Sequence, residues 1–168
     1  CTGANTTGQR IETGTGYSYR LTGAASVTGI GIGQRIEKRN AIGLAGSTAN
    51  LSMLMSNGLL TTASWALYYA NTDNTFGTLA SPTRTLISSG TFTIGSTPTL
   101  CSVNISIPSA ATTGLELVLS VGAQTSSTWT IERVKLEKAS VYRPYEDRLY
   151  GDELLLCQRP QQIGSYSF

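Results

Sequence analysis

Cys101-Ser-Val-Asn-Ile-Ser-Ile-Pro108 alternates apolar and polar side chains at each step and ends at a proline. A period of two marks a strand buried on one face, and Pro108, with no N–H to offer a neighbour, marks where the ladder stops. The same alternation recurs on both sides of this stretch. Upstream, Ile30, Ile32 and Ile36 alternate with Gly31, Gly33 and Arg35, and Leu51, Met53 and Met55 follow a short turn over residues 41–45. Trp65, Leu67 and Tyr69 alternate with Ala66, Tyr68 and Ala70. Downstream, Leu115, Leu117, Leu119 and Val121 keep one parity. In Trp129-Thr-Ile-Glu-Arg-Val-Lys-Leu136 the apolar parity switches between Ile131 and Val134. One extra residue near Glu132, a β-bulge, would return both to the same face.

Clusters of Gly, Asn, Ser and Pro separate these runs at residues 57–58, 71–77, 88–90, 95–98 and 108–114. Strands recurring every 8–12 residues or so, with no intervening long helix and no fixed internal repeat, predict an all-β fold. Its expected architecture is an antiparallel two-sheet β-sandwich over residues 1–139. Residues 140–168 are expected to form a C-terminal strap and one short helix. That helix is placed at residues 152–159, where Gly151-Asp152 caps the start and Arg159 complements the dipole at the end. Being short, it must dock its leucines on something to persist.

The chain has 168 residues, of which 61 are Ser, Thr or Gly and only 13% are charged. No apolar run approaches the ~20 residues of a membrane helix, and no basic segment precedes an apolar one as in a signal peptide. Position 1 is Cys rather than Met, which predicts a processed chain or a fragment. A net charge of +2 with no basic block gives no electrostatic footprint for nucleic acid. The three cysteines, Cys1, Cys101 and Cys157, are odd in number and widely spaced. They predict reduced thiols in a protein folded in a cytosol. With no histidine in the sequence, Ser-His-Asp and Cys-His catalysis are excluded, and so are the usual zinc sites. Neither a cofactor nor a metal is expected.

Charge is distributed unevenly. Residues 40–130 carry only Asp73, Arg84 and Glu116, whereas residues 131–168 carry twelve charged side chains, half of each sign. Alternating signs suit ion pairing with the body or with a neighbouring chain. In this segment Val134-Lys-Leu-Glu-Lys-Ala-Ser-Val-Tyr-Arg-Pro-Tyr-Glu-Asp-Arg148 resembles the "vQLE-G-x-x-a-T-P-F-E-x-R" run of bacteriophage tail-fibre and tailspike proteins. Asp152-Glu-Leu-Leu-Leu-Cys-Gln-Arg159 is similar to the "E-E-L-x-L-C-Q-R-Y-Y" that follows it there, although Pro160-Gln161 replaces the Tyr-Tyr pair. Upstream, Gln34-Arg-Ile-Glu37, Leu44-Ala-Gly46 and Leu51-Ser52 resemble the "Q-x-I-E … l-x-G … l-S" signature of the same modules.

The resemblance implies a jelly-roll-like, carbohydrate-binding-module-like sandwich near the distal end of a trimeric virion fibre. It implies a non-enzymatic role in host adhesion, with host-surface polysaccharide or lipopolysaccharide and other tail proteins as partners. It also implies localisation in the virion tail after assembly in the bacterial cytoplasm. It carries no catalytic residue onto this chain. A purely structural fibre component and a polysaccharide-depolymerising tailspike domain are the alternatives.

Glycan recognition needs an aromatic face for the apolar side of a sugar ring and planar amides or carboxylates for its hydroxyls. The densest supply lies in Trp65-Ala-Leu-Tyr68-Tyr69-Ala-Asn71-Thr-Asp73-Asn74-Thr-Phe76. Trp65, Tyr68, Tyr69, Asn71, Asp73, Asn74 and Phe76 are therefore the candidate ligand-binding residues, and Tyr68, off the face shared by Trp65 and Tyr69, is the one expected to be exposed. The competing reading puts Trp65 and Tyr69 in the core and leaves the Asx residues to the turn. Tyr17 and Tyr19, on one face of an early strand, form a second candidate. A glycosidase would need two carboxylates facing each other across a groove, and the spacing of Glu12, Glu37, Asp73 and Glu116 shows no such pair. Pro144 and its flanking tyrosines, Tyr142 and Tyr145, are expected to strap the sheet surface.

Overall fold

The computed structural model describes residues 5–13, 16–78 and 80–146. Among them the strands are β1 (Thr7–Thr13), β2 (Gly16–Thr22), β3 (Ile30–Glu37), β4 (Thr48–Asn57), β5 (Thr62–Ala70), β6 (Arg84–Thr93), β7 (Thr99–Ser106), β8 (Gly114–Val121) and β9 (Thr128–Lys138). One helical turn, α1 (Lys38–Ala41), runs into a 3-10 turn at Ile42–Leu44 where the sequence suggested a plain turn. The strands form two antiparallel sheets, ordered β1-β2-β9-β4-β7 and β3-β8-β5-β6. From β2 onward the chain changes sheet at every connection except the β5–β6 hairpin, and this winding makes the sandwich a jelly roll.

The alternating runs supply the core. Leu51, Met53 and Met55 of β4, Cys101 and Ile105 of β7, and Trp129 and Ile131 of β9 face Trp65 and Leu67 of β5 and Leu115, Leu117 and Leu119 of β8, all buried. Each such aliphatic side chain contributes about 1.5–3 kcal/mol on burial, so register is pinned wherever one face is this apolar. The turns are held by side chains as well. Asn57 accepts the N–H groups of Leu59 and Leu60 on Oδ1, both at 2.8 Å, and donates from Nδ2 to Gln124 Oε1 at 2.7 Å, tying two loops at one end of the sandwich.

Three features depart from the alternation. The bulge expected near Glu132 is present: Ser52 pairs with Lys135 but Leu54 with Glu132, and Arg133 adopts a left-handed φ of 54° to absorb the extra residue. Residues 88–90, expected as a turn, run inside β6, bulged at Ile87. Gly90 stands opposite Trp65, and an added Cβ would lie only 3.0 Å from the indole nitrogen, so a small residue is what the ring's volume requires. Strand β1 carries only one aliphatic residue, Ile11, because it is a sheet edge paired to β2 alone.

After β9, residues 140–146 run over the outward face of the five-stranded sheet. Asn104 Nδ2 donates to the Ser140 carbonyl at 2.5 Å, and Lys135 Nζ donates to the Pro144 carbonyl at 3.2 Å. Tyr142, Pro144 and Tyr145 line a hollow of about 230 Å³ with Ser52, Leu54 and Leu100 of the sheet. The helix expected at residues 152–159 lies outside the described residues.

Candidate functional site

Two regions gather aromatic and polar side chains. In the first, β5 delivers its aromatics to opposite faces of the four-stranded sheet. Trp65 faces inward, 5% exposed, and stacks on Phe92 with ring centroids 6.0 Å apart. Tyr69 also faces inward and packs half-buried against the core. Phe76 is 4% exposed and lies beneath the Arg35 guanidinium at 5.1 Å. These rings fill the sandwich and the base of its loop, where the burial of apolar area holds them. Tyr68 faces outward, yet it is half-buried rather than exposed, because the Arg84 guanidinium covers its ring at 4.0 Å.

The polar members of this first region are turned on one another. In the cross-strand row, Arg35 of β3 pairs with Glu116 of β8, which pairs with Tyr68 of β5. The buried Glu116 carboxylate accepts from Arg35 Nε on one oxygen at 2.8 Å and from Arg84 Nη1 on the other. Asn71 Oδ1 accepts from the Thr85 hydroxyl at 2.7 Å. Asp73 pairs with Lys38 Nζ at 2.6 Å, and Asn74, in a left-handed conformation with φ 54°, accepts the Lys38 N–H at 2.7 Å. The structure thus brings Tyr68, Asn71, Asp73 and Asn74 to the outer face and loop, while Trp65, Tyr69 and Phe76 pack into the interior and its margin.

The second region lies between the sheets, where β2 and β9 face β3 and β8. Beyond the Ser18–Glu132 pair, β2 and β9 are no longer registered, and the bulge at Arg133 turns β9 aside. A cavity of about 540 Å³ opens there. Its floor is aliphatic, built from Ile32, Leu117, Leu119 and Ile131. Tyr17 and Tyr19 stand at its wall, and Tyr17, at 59% exposed, is far more open than Tyr68. Arg10 of β1 lies over the Tyr17 ring at 4.4 Å. Gln34, paired with the buried Leu117, brings an amide to the same space. Ser18 and Glu132, paired across β2 and β9, border it too, but strand alternation sends their side chains to the face opposite Tyr19 and Ile131. Glycine makes room for one wall: a Cβ on Gly8 would sit 2.8 Å from the Tyr19 ring carbon that bears the hydroxyl.

Sequence reasoning found the tyrosine pair but not Arg10 or Gln34. The available signal was the β1–β2 hairpin, which sets Arg10 opposite Tyr19 and Glu12 opposite Tyr17. Cys101 is buried and free, and desolvation pushes its thiol pKa up, which makes it a packing residue rather than a nucleophile. No group of three or more metal-ligating residues occurs among the described residues, and none of their helices is long and apolar enough to cross a membrane.

The sequence matches no family model and no curated protein. Several solved structures share the fold. A sugar-binding protein from Bacteroides thetaiotaomicron VPI-5482, itself described as putative, superposes with a TM-score of 0.57 at 14% identity, over 81% of this chain and 84% of that one. A family 16 carbohydrate-binding module superposes with a TM-score of 0.53 at 16% identity, over 79% and 86%. The enzymatically active domain of tailspike protein 4 from bacteriophage CBA120 gives a TM-score of 0.50 at 15% identity. That match covers 81% of this chain but only 20% of the tailspike chain. At these identities the likeness establishes the jelly-roll sandwich seen in carbohydrate-binding modules.

Proposed function

We propose that this chain is a non-enzymatic glycan-binding module of a bacteriophage tail fibre, assembled as a homotrimer with other tail proteins, that recognises host-surface polysaccharide or lipopolysaccharide. The observation that carries the glycan reading is the cavity at Tyr17 and Tyr19. An aliphatic floor and two tyrosine rings offer surface for the apolar face of a sugar. Gln34, on the inward face of β3, and the Tyr17 and Tyr19 hydroxyls offer donors and acceptors for its hydroxyl groups. The carbohydrate-binding modules that share the fold support this reading. The virion setting rests on the resemblance of the segment from Val134 to Arg159 to tail-fibre sequences, and the phage tailspike domain among the structural neighbours is consistent with it.

The test is binding to a panel of bacterial lipopolysaccharides and capsular polysaccharides by the wild type, Tyr17→Ala, Tyr19→Ala and Tyr68→Ala. Either cavity variant is expected to weaken binding at least tenfold, while Tyr68→Ala leaves it within about twofold. The reverse pattern would move the site to the outer face of the four-stranded sheet, with Tyr68, Asn71, Asp73 and Asn74. Binding to none of the panel would leave a structural fibre component. Release of new reducing ends from a bound polysaccharide would show a depolymerase.

A further inference from the structure

Within the cavity, Arg10 contrasts with the two arginines of the outer face of the four-stranded sheet. Arg35 and Arg84 share the Glu116 carboxylate, whereas Arg10 has no carboxylate partner among the described residues. Glu12, on the same face of β1 and opposite Tyr17, makes no ion pair with it. The guanidinium carbon sits 4.4 Å from the centroid of the Tyr17 ring instead, a contact that uses its charge and leaves N–H donors without an acceptor. The guanidinium is a planar, bidentate donor at the mouth of an apolar cavity, and the group that fits it is a carboxylate.

We infer that the cavity selects acidic sugars, uronic or sialic acids, with the sugar carboxylate on Arg10 and the ring against Tyr17 and Tyr19. This rests on the glycan-binding reading of the same cavity. Glu132 does not oppose it. Arg10 lies in β1 and Glu132 in β9, with β2 between them, so the two positions are about 10 Å apart at ordinary strand spacing. The register of Glu132 with Ser18 and Leu54 also turns its side chain to the opposite face of the sheet, away from the ligand carboxylate.

The experiment uses an array on which uronic- and sialic-acid-containing bacterial polysaccharides are each printed native and carboxyl-reduced, beside neutral glucans and mannans. The wild type is expected to bind native acidic polysaccharides and to lose at least tenfold in signal on reduction. Arg10→Gln is expected to abolish the difference between native and reduced forms. Arg10→Lys should keep part of it, because an ammonium preserves the charge but not the fork. Raising the salt concentration should weaken wild-type binding more than that of Arg10→Gln. Binding that is indifferent to carboxyl reduction, or confined to neutral glycans, overturns the acidic-sugar inference and leaves the glycan-binding reading standing. Binding to nothing on the array overturns both. Arg10 is an exposed residue on an edge strand, so an unchanged thermal midpoint for its variants confirms that binding, not folding, is what moved.

Discussion

The loop region around Tyr68 and the cavity around Tyr17 draw on the same residue types and use them in opposite ways. Around Tyr68 the polar side chains answer one another: Glu116 is held by two arginines, Asp73 by Lys38, and Asn71 by Thr85. Around Tyr17 they do not, since Arg10 has only a ring beside it and no carboxylate partner among the described residues. The first region satisfies its charges inside the molecule, whereas the second leaves a guanidinium donor open, so the second is where an external ligand has something to gain. A dense aromatic-polar run in sequence is therefore a poor guide to a binding site unless its hydrogen-bond partners are known.

The largest effect that would sharpen this contrast comes from Trp65→Ala. Removing an indole stacked on Phe92 inside the sandwich leaves a cavity and is expected to cost about 3–5 kcal/mol. For a chain of this size that lowers the thermal midpoint by roughly 6–20 °C. Polysaccharide binding measured well below that midpoint should stay within about twofold of wild type. A variant that loses binding while still folded would show that the first region communicates with the ligand, and the division between the two would fail.

A smaller effect is expected at Glu116. In Glu116→Gln the amide keeps the shape but not the charge, and Arg84, whose side chain is only 17% exposed, is left facing Tyr68 with its positive charge uncompensated. The cost should be about 1–3 kcal/mol in urea unfolding. Most of it should belong to the Arg84 arm, because Arg35 is 55% exposed and water can replace the carboxylate there. Double-mutant cycles check this: coupling of Glu116 to Arg84 should exceed coupling to Arg35, which should fall within about 1 kcal/mol. Equal couplings would mean that burial does not set the strength of these pairs.

These two regions also show which parts of the structure the sequence makes legible. Strands β4, β5, β7 and β8 are readable because each buries one face against the opposite sheet, so apolar residues must recur at every second position. Strand β1 is not, because an edge strand exposed along most of its length needs no apolar stripe. Strand β6 is masked by Ser88-Ser89-Gly90, small residues that read as a turn but make room for the Trp65 ring. The parity of Tyr17 and Tyr19 is local and legible, whereas the cavity is not. It depends on where β2 parts from β9, strands more than a hundred residues apart in the chain, and on the left-handed turn that Arg133 makes at the bulge. The pairing of Glu116 with Arg35 and Arg84 is equally non-local, spanning 81 and 32 residues.

The smallest effect on stability, and the sharpest separation of stability from binding, is expected at Gly8. Alanine is tolerable to the β1 backbone, since Gly8 has no left-handed φ, and the strand is an edge with solvent beside it. The added methyl would collide with the Tyr19 hydroxyl and lie 2.8 Å from the ring carbon that bears it, so the ring must swing away. Tyr19 is only partly buried, and the swing exposes or reburies a modest area, so the net change in stability should stay within about 1 kcal/mol of zero. The wall of the cavity, by contrast, moves by the width of a methyl group, enough to spoil stacking on a sugar ring. Gly8→Ala should therefore weaken polysaccharide binding several-fold at an almost unchanged thermal midpoint, and Gly8→Ala combined with Tyr19→Ala should be no worse than Tyr19→Ala alone. If Gly8→Ala binds as the wild type does, the Tyr19 ring is not part of the sugar platform, and Tyr17 alone must supply it.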